Sequence, residues 1–141
     1  MNMQFKEALR AAGLLNPGRT TWYGVATDGV PVFTIWFHEV RHINGRYFAW
    51  WDHEGLKDTD GEPKLRQKGR AWNYLELAAE NLGKPCRAVI VHPKMTEQGN
   101  TGVASAEYPH STMSRIVFRT VDIDALQFIA ELLPEESITI S

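Results

Sequence analysis

Residues 38 to 42 of this 141-residue chain read His-Glu-Val-Arg-His, which matches the H-E-x-x-H signature of zinc proteases. In that signature the two histidines lie one turn apart on a helix and bind the same zinc ion, while the glutamate acts as general base. An extended strand would place His38 and His42 about 13 Å apart, which is too far for one tetrahedral ion. The local structure therefore decides whether the motif is a metal site.

The residues around the motif favour a strand. Residues 32–37 are dense in β-branched and aromatic side chains, and Asn44-Gly45 follows His42 after a single residue. An Asn-Gly pair between two β-rich segments is a strong signal for a two-residue hairpin turn. In that hairpin His42 faces Tyr47 across the two strands. We therefore predict a hairpin here, with no metal and no cofactor.

A small zinc hydrolase is the alternative if the same residues instead form two helical turns, because Asn-Gly can also end a helix. Glu39 would then be the general base. The candidate metal ligands in that alternative are His38, His42 and His53.

A dense group of aromatic residues surrounds the motif. Trp50 and Trp51 are adjacent, so in a strand they point to opposite faces, and one of them has to face solvent, a second layer or a ligand. The group could simply be core, because aromatic side chains bury a large area. It could also form a platform on which nucleic-acid bases stack. Within sixteen residues it comprises Trp36, Phe37, Tyr47, Phe48, Trp50 and Trp51.

A positively charged run follows at residues 64–70, with four basic residues and no acidic one. Such a run is either a solvated segment or a set of phosphate contacts. Combined with the aromatic platform, it predicts a non-enzymatic module that binds DNA or RNA, including single strands or a modified base. The residues expected to bind are Arg41, Arg46, Tyr47, Trp50, Trp51, Arg66, Lys68 and Arg70.

A protein partner is the second hypothesis, in which the chain is an immunity or accessory protein. Lys and Arg outnumber Asp and Glu by 13 to 10 in residues 1–94, whereas Asp and Glu prevail by 7 to 2 in residues 95–141. The acidic part would supply the interaction surface. The net charge of −2 argues against a protein that coats nucleic acid without selection.

Composition also limits the compartment and the chemistry. Cys86 is the single cysteine, so no internal disulfide forms. No segment approaches the ~20 apolar residues that span a bilayer. We therefore expect a cytoplasmic protein without a membrane partner.

The predicted fold class is α+β, with residues 1–141 in a single domain. Hydrophobic periodicity predicts a helix near residues 3–12 and another over 70–82. Asp124 and Gln127 form an acidic variant of the capping box, which predicts a final helix up to Leu133. The expected architecture is a twisted antiparallel sheet with two or three helices on one side. Its other parts are a meander over 20–52, strands at 86–91 and 114–121, and a flexible loop over 93–113.

Overall fold

The computed structural model describes residues 3–18, 21–52, 65–95 and 101–135. Two helices and eight strands make up this part of the chain, and a single turn of 3₁₀ helix joins two of the strands. In chain order the elements are α1 (Phe5–Ala11), β1 (Tyr23–Val25), β2 (Pro31–Trp36), the 3₁₀ turn (Phe37–Glu39), β3 (Val40–Ile43), β4 (Arg46–Asp52), α2 (Leu65–Glu80), β5 (Cys86–Met95), β6 (Thr101–Glu107), β7 (Arg115–Asp122) and β8 (Gln127–Leu133).

The strands form one mixed sheet in the order β1-β2-β5-β7-β8-β4-β3, with β6 paired to β5. The α+β class is thus confirmed, but the expectation of an antiparallel sheet is wrong at one place, because β2 and β5 run parallel. Parallel neighbours need a long crossover, and the chain between β2 and β5 includes β3, β4 and α2. The expected meander is also corrected, since the β1–β2 and β3–β4 hairpins lie at opposite ends of the sheet.

The sheet is strongly curved. Four strands separate β2 from β3 in the sheet, which in a flat sheet would put them about 24 Å apart. Only the 3₁₀ turn joins Trp36 to Val40, and that stretch of chain reaches about 14 Å at most. The sheet therefore has to curl so that its two ends approach one another. In the sequence, alternate positions up to Phe37 are apolar, whereas Glu39 and Arg41 continue the same register with charged residues, which predicts a bend near residues 37–39. The 3₁₀ turn provides that bend.

The two helices lie on opposite faces of the sheet. Tyr74, Leu75 and Ala78 of α2 pack with Phe33 and Phe118 in the larger core. Side chains of β2 and β5 that alternate with these, Val32 and Val89, point to the other face. There they pack with Ala8 and Leu9 of α1 in a smaller core. The expectation that the helices cover one side is therefore wrong.

The C-terminal segment is a strand, so the predicted final helix is wrong. Phe128, Ala130 and Leu132 alternate along β8 and are all buried. β8 pairs with β7 on one edge and with β4 on the other. Backbone pairing along both edges and a buried face outweigh the local helix signals. The turn before β8 uses Asp122 rather than Asp124, whose predicted role was the helix cap: the Ala125 N–H donates to Asp122 Oδ1 at 3.0 Å.

The predicted loop over residues 93–113 is also corrected. β5 continues to Met95, and β6 occupies Thr101–Glu107 and pairs with it. Pro93 is accommodated because the pairing shifts by a bulge between His92 and Pro93.

Other expectations are confirmed. α1 lies within the predicted 3–12 helix, β5 begins at the predicted Cys86, and β7 matches the predicted strand near 114–121 to within one residue at each end. α2 begins at Leu65 rather than at residue 70. None of the helices in the described part is long and apolar enough to cross a membrane.

Candidate functional site

The His38–His42 segment forms the predicted hairpin rather than a zincin helix. His38 lies in the 3₁₀ turn, and His42 lies in β3 directly opposite Tyr47. Asn44 and Gly45 have φ angles of 52° and 78°, as a type I′ turn requires. The histidine rings have separate aromatic neighbours, Trp36 for His38 and Tyr47 for His42. The helical geometry behind the zinc alternative is absent from this segment.

Among the described residues, no group of three or more His, Cys, Asp and Glu side chains is arranged to hold a metal ion. His53, the proposed third ligand, lies outside the described residues. Burial raises the pKa of Glu39, and nearby Arg41 partly opposes that rise. A raised pKa suits a general base, but the imidazole ligands that would accompany this one are not brought together.

One side of β3, β4, β8 and β7 carries aromatic and charged side chains together. It is the side of the sheet opposite the α2 core, because its residues alternate with Ala49, Phe118 and Ala130 of that core. Trp50 and Ile129 are paired neighbours here, with 37% and 46% of their surface exposed. We call this surface the Trp50 face; it comprises Arg41, Arg46, Phe48, Trp50, Val117, Arg119, Ile129 and Glu131.

Arginines lie close to both aromatic rings of the Trp50 face. The Arg41 guanidinium carbon is 5.6 Å from the Trp50 ring centroid, and that of Arg46 is 5.1 Å from the Phe48 ring centroid. Both distances are within the range of cation–π attraction. Arg41 also donates to the His38 carbonyl at 3.0 Å, which ties the 3₁₀ turn to the Trp50 face.

The buried carboxylate of Glu131 positions two arginines of the Trp50 face, Arg46 and Arg119. Arg46 forms a bidentate pair with Glu131, with Nε to Oε2 at 2.8 Å and Nη2 to Oε1 at 2.7 Å. Arg119 Nη2 donates to the same Oε1 at 2.9 Å. The hydrogen bonds from Arg46 and then Arg119 lower the pKa of Glu131 to about 2. Three arginines and one glutamate leave the Trp50 face positively charged.

An open depression of about 550 Å³ adjoins Trp50, at the end of the face away from Arg46 and Glu131. Its walls combine the indole and Ile129 with polar groups of β7 and β8. Asp122 and Gln127 face each other across these two strands. The depression is lined by Trp50, Thr120, Val121, Asp122, Gln127, Phe128 and Ile129. An aromatic wall beside amide, hydroxyl and carboxylate groups suits a flat ligand with a polar edge.

The predicted binding residues separate into three groups. Arg41, Arg46 and Trp50 meet on the Trp50 face. Tyr47 lies on the opposite face, where it packs against the core and its ring stacks on His42 at 4.6 Å between centroids. Of the remaining four, Trp51 is in β4 and Arg66, Lys68 and Arg70 are in α2, but their side chains fall outside the described part of the structure.

The sequence alone missed the part of the surface that β7 and β8 supply. Arg119, Gln127, Ile129 and Glu131 reach it because β8 is a strand. The sequence signal for this half of the surface is the alternation of Phe128, Ala130 and Leu132, which is typical of a strand.

A second polar cluster lies on β5 and β6. His92 Nε2 is 2.7 Å from Glu107 Oε1, and His110 Nε2 is 3.7 Å from Glu107 Oε2. The Thr112 N–H donates to His110 Nδ1, which assigns the proton of neutral His110 to Nε2. Phe37 covers the His92 ring. The cluster joins β5, β6 and the turn before β7 around one carboxylate.

Cys86 is a core residue rather than a nucleophile. It is buried in the larger core, and burial raises the pKa of its thiol to about 11. A thiol with that pKa is almost fully protonated near neutral pH and is a poor nucleophile.

Comparison of the chain with protein-family models, with curated proteins and with solved structures finds no match.

Proposed function

We propose that this protein is a non-enzymatic binding module that takes single-stranded nucleic acid on the Trp50 face. The observation that carries the proposal is the pairing of a part-exposed indole with an arginine in cation–π contact on a positively charged strand surface. Stacking on an aromatic ring with phosphate contacts from arginines is the usual way in which proteins bind unpaired bases.

The charge of the surface supports phosphates as partners. The side chains of Arg46 and Arg119 are 59% and 46% exposed, while Glu131 fixes the positions of their guanidinium groups. Arg41 is exposed as well. Two or three phosphate contacts would give a slope of roughly −1.4 to −2.1 in log affinity against log salt for a single strand. The basic run at residues 64–70 stays a prediction as a further source of phosphate contacts.

The test is fluorescence anisotropy with a labelled octauridylate at about 50 and 200 mM salt, on the intact protein. We expect Trp50→Leu to weaken binding about tenfold, because the stacking surface is lost. Arg41→Gln should weaken binding and reduce the salt slope by about 0.7.

Matched controls lie elsewhere on the molecule. Phe37→Leu removes an exposed aromatic ring outside the Trp50 face, and Arg10→Gln removes an exposed arginine of α1. Both should leave binding unchanged. Affinity that is equal for Trp50→Leu and Phe37→Leu, or an absence of binding at about 50 mM salt, would contradict the proposal. The exposed Trp50 and Ile129 would then indicate a protein partner.

A further inference from the structure

The depression beside Trp50 carries a more specific inference, which rests on the proposed function. We infer that it holds one unstacked base and prefers guanine, with Asp122 accepting hydrogen bonds from the base edge. No other base offers two adjacent donors at its pairing edge in the way that guanine does.

The sheet register places the side chains in rows that run across the strands. In the middle row, between the row of Phe48 and the row of Gln127, Trp50 pairs with Ile129, which in turn pairs with Thr120. In the next row Gln127 pairs with Asp122. All five side chains line the depression. A base lying over the middle row would therefore direct its polar edge towards Gln127 and Asp122.

The chemistry of Asp122 selects among the bases. An ionised carboxylate only accepts hydrogen bonds. One Asp122 oxygen already accepts from the Ala125 N–H, which fixes the group while its other lone pairs stay available. Guanine presents N1–H and the N2 amino group side by side, which matches a carboxylate. Uracil has one N–H between two carbonyls, and adenine and cytosine each place a ring acceptor beside their amino group, so each of them brings an acceptor against the carboxylate.

The charges on this side of the sheet set the direction of the bound nucleotide. The Phe48 row lies two residues along β4 from Trp50, and it is surrounded by Arg46, Arg119 and Glu131. Asp122 lies in the row two residues from Trp50 in the opposite direction. The phosphate-attracting and phosphate-repelling ends are thus about 13 Å apart along the strands. A nucleotide fits this polarity with its phosphate at the arginines and its base edge at Asp122.

The test compares octauridylates in which one central residue is guanosine, inosine, adenosine, cytidine or uridine, by anisotropy. We expect the guanosine octamer to bind about tenfold more tightly than octauridylate, because one bidentate contact discriminates by roughly that factor or more. Inosine lacks the N2 amino group, so the inosine octamer should lose most of this advantage.

Asp122→Asn keeps an oxygen for the Ala125 N–H but replaces one acceptor with a donor. It should abolish the preference for guanosine, so that this variant binds the guanosine octamer and octauridylate with equal affinity. The matched control is Asp124→Asn, an exposed carboxylate two residues away that does not line the depression. It should keep the preference. Thermal melting of each variant checks that it folds.

The outcomes separate the two proposals. If the wild-type protein binds all five octamers with equal affinity, the guanine inference is overturned. The proposed function is upheld in that case, because octauridylate still binds. A preference that Asp122→Asn retains would also overturn the inference. If no octamer binds, both the function and the inference are overturned, and a protein partner becomes the hypothesis.

Discussion

The ionisation of Glu131 depends on two neighbouring arginines. Its carboxylate is nearly buried on the Trp50 face, and its oxygens accept three hydrogen bonds from Arg46 and Arg119. Burial of an unpaired carboxylate would be costly, so the two arginines are needed for Glu131 to remain ionised there. Because both arginines are half exposed, water screens the pairs and their contribution is moderate.

We predict that Glu131→Gln lowers the free energy of unfolding by about 2 kcal/mol at neutral pH, as expected for charge-assisted hydrogen bonds. The pKa of Glu131 is about 2 in the folded protein and 4.5 in its ordinary state. The stabilisation is therefore complete above about pH 4.5 and is lost as pH falls towards 2, because the unfolded chain binds the proton first.

Urea denaturation of wild type and variant at about pH 7 and pH 3 measures this difference, which should be smaller at the lower pH. Glu76→Gln, at an exposed position of α2, is the control and should change stability by less than about 0.5 kcal/mol. A difference between wild type and Glu131→Gln that is the same at both pH values would contradict the assignment of the lowered pKa to Glu131.

At the scale of elements, the formation of α1 and of β8 depends on contacts with distant parts of the chain. α1 is only seven residues long, which is too short to be stable alone, so it depends on packing against β5 and β6. β8 has good helix signals at its start, yet it is held as a strand by partners on both edges. In both elements tertiary contact decides what forms.

The dependence of α1 on packing gives a matched pair of substitutions. Leu9 is fully buried in the smaller core, whereas Leu15 is 77% exposed just beyond the helix. We expect Leu9→Ala to lower the free energy of unfolding by about 3 kcal/mol through lost burial and a cavity. Leu15→Ala should have an effect below about 0.5 kcal/mol. Chemical denaturation measures both, and comparable losses would show that α1 is not docked through Leu9.

At the scale of the whole molecule, Tyr74 joins α2 to three strands of the curved sheet. Its hydroxyl donates to the Thr34 carbonyl of β2 at 2.9 Å. Its ring contacts Phe33 of β2, Phe118 of β7 and Phe128 of β8. Burial raises the pKa of this hydroxyl well above its ordinary value. The curl of the sheet lets one side chain of α2 reach strands that are far apart in the sheet order.

We expect Tyr74→Phe to lower the free energy of unfolding by about 1–2 kcal/mol, because the buried Thr34 carbonyl loses the hydroxyl donor. Tyr74→Ala should cost about 4 kcal/mol through lost packing. Tyr23→Phe is the control and should change stability less than Tyr74→Phe, because Tyr23 is only half buried. Guanidinium unfolding followed by circular dichroism measures all three. A Tyr74→Phe protein as stable as wild type would exclude a stabilising role for this hydrogen bond.

The sequence determined the features that depend on neighbouring residues. Asn44-Gly45 defined the hairpin and its pairing, because only certain residues tolerate positive φ at both turn positions. The hairpin in turn showed that His38 and His42 are not on a zincin helix. The apolar stripe of α2 and the buried run from Cys86 were also readable, because burial imposes a period on the sequence.

Only the tertiary structure decided the features that depend on distant pairing. Residues 127–133 satisfy both a helical and a strand pattern, and the free edges of β4 and β7 select the strand. That choice brings Arg119 and Glu131 beside Arg46 and places Asp122 next to Trp50. Residues as far apart in sequence as Arg46 and Glu131, 85 positions, meet there through strand order. Local propensity does not encode strand order, because strand partners can be any distance apart in sequence.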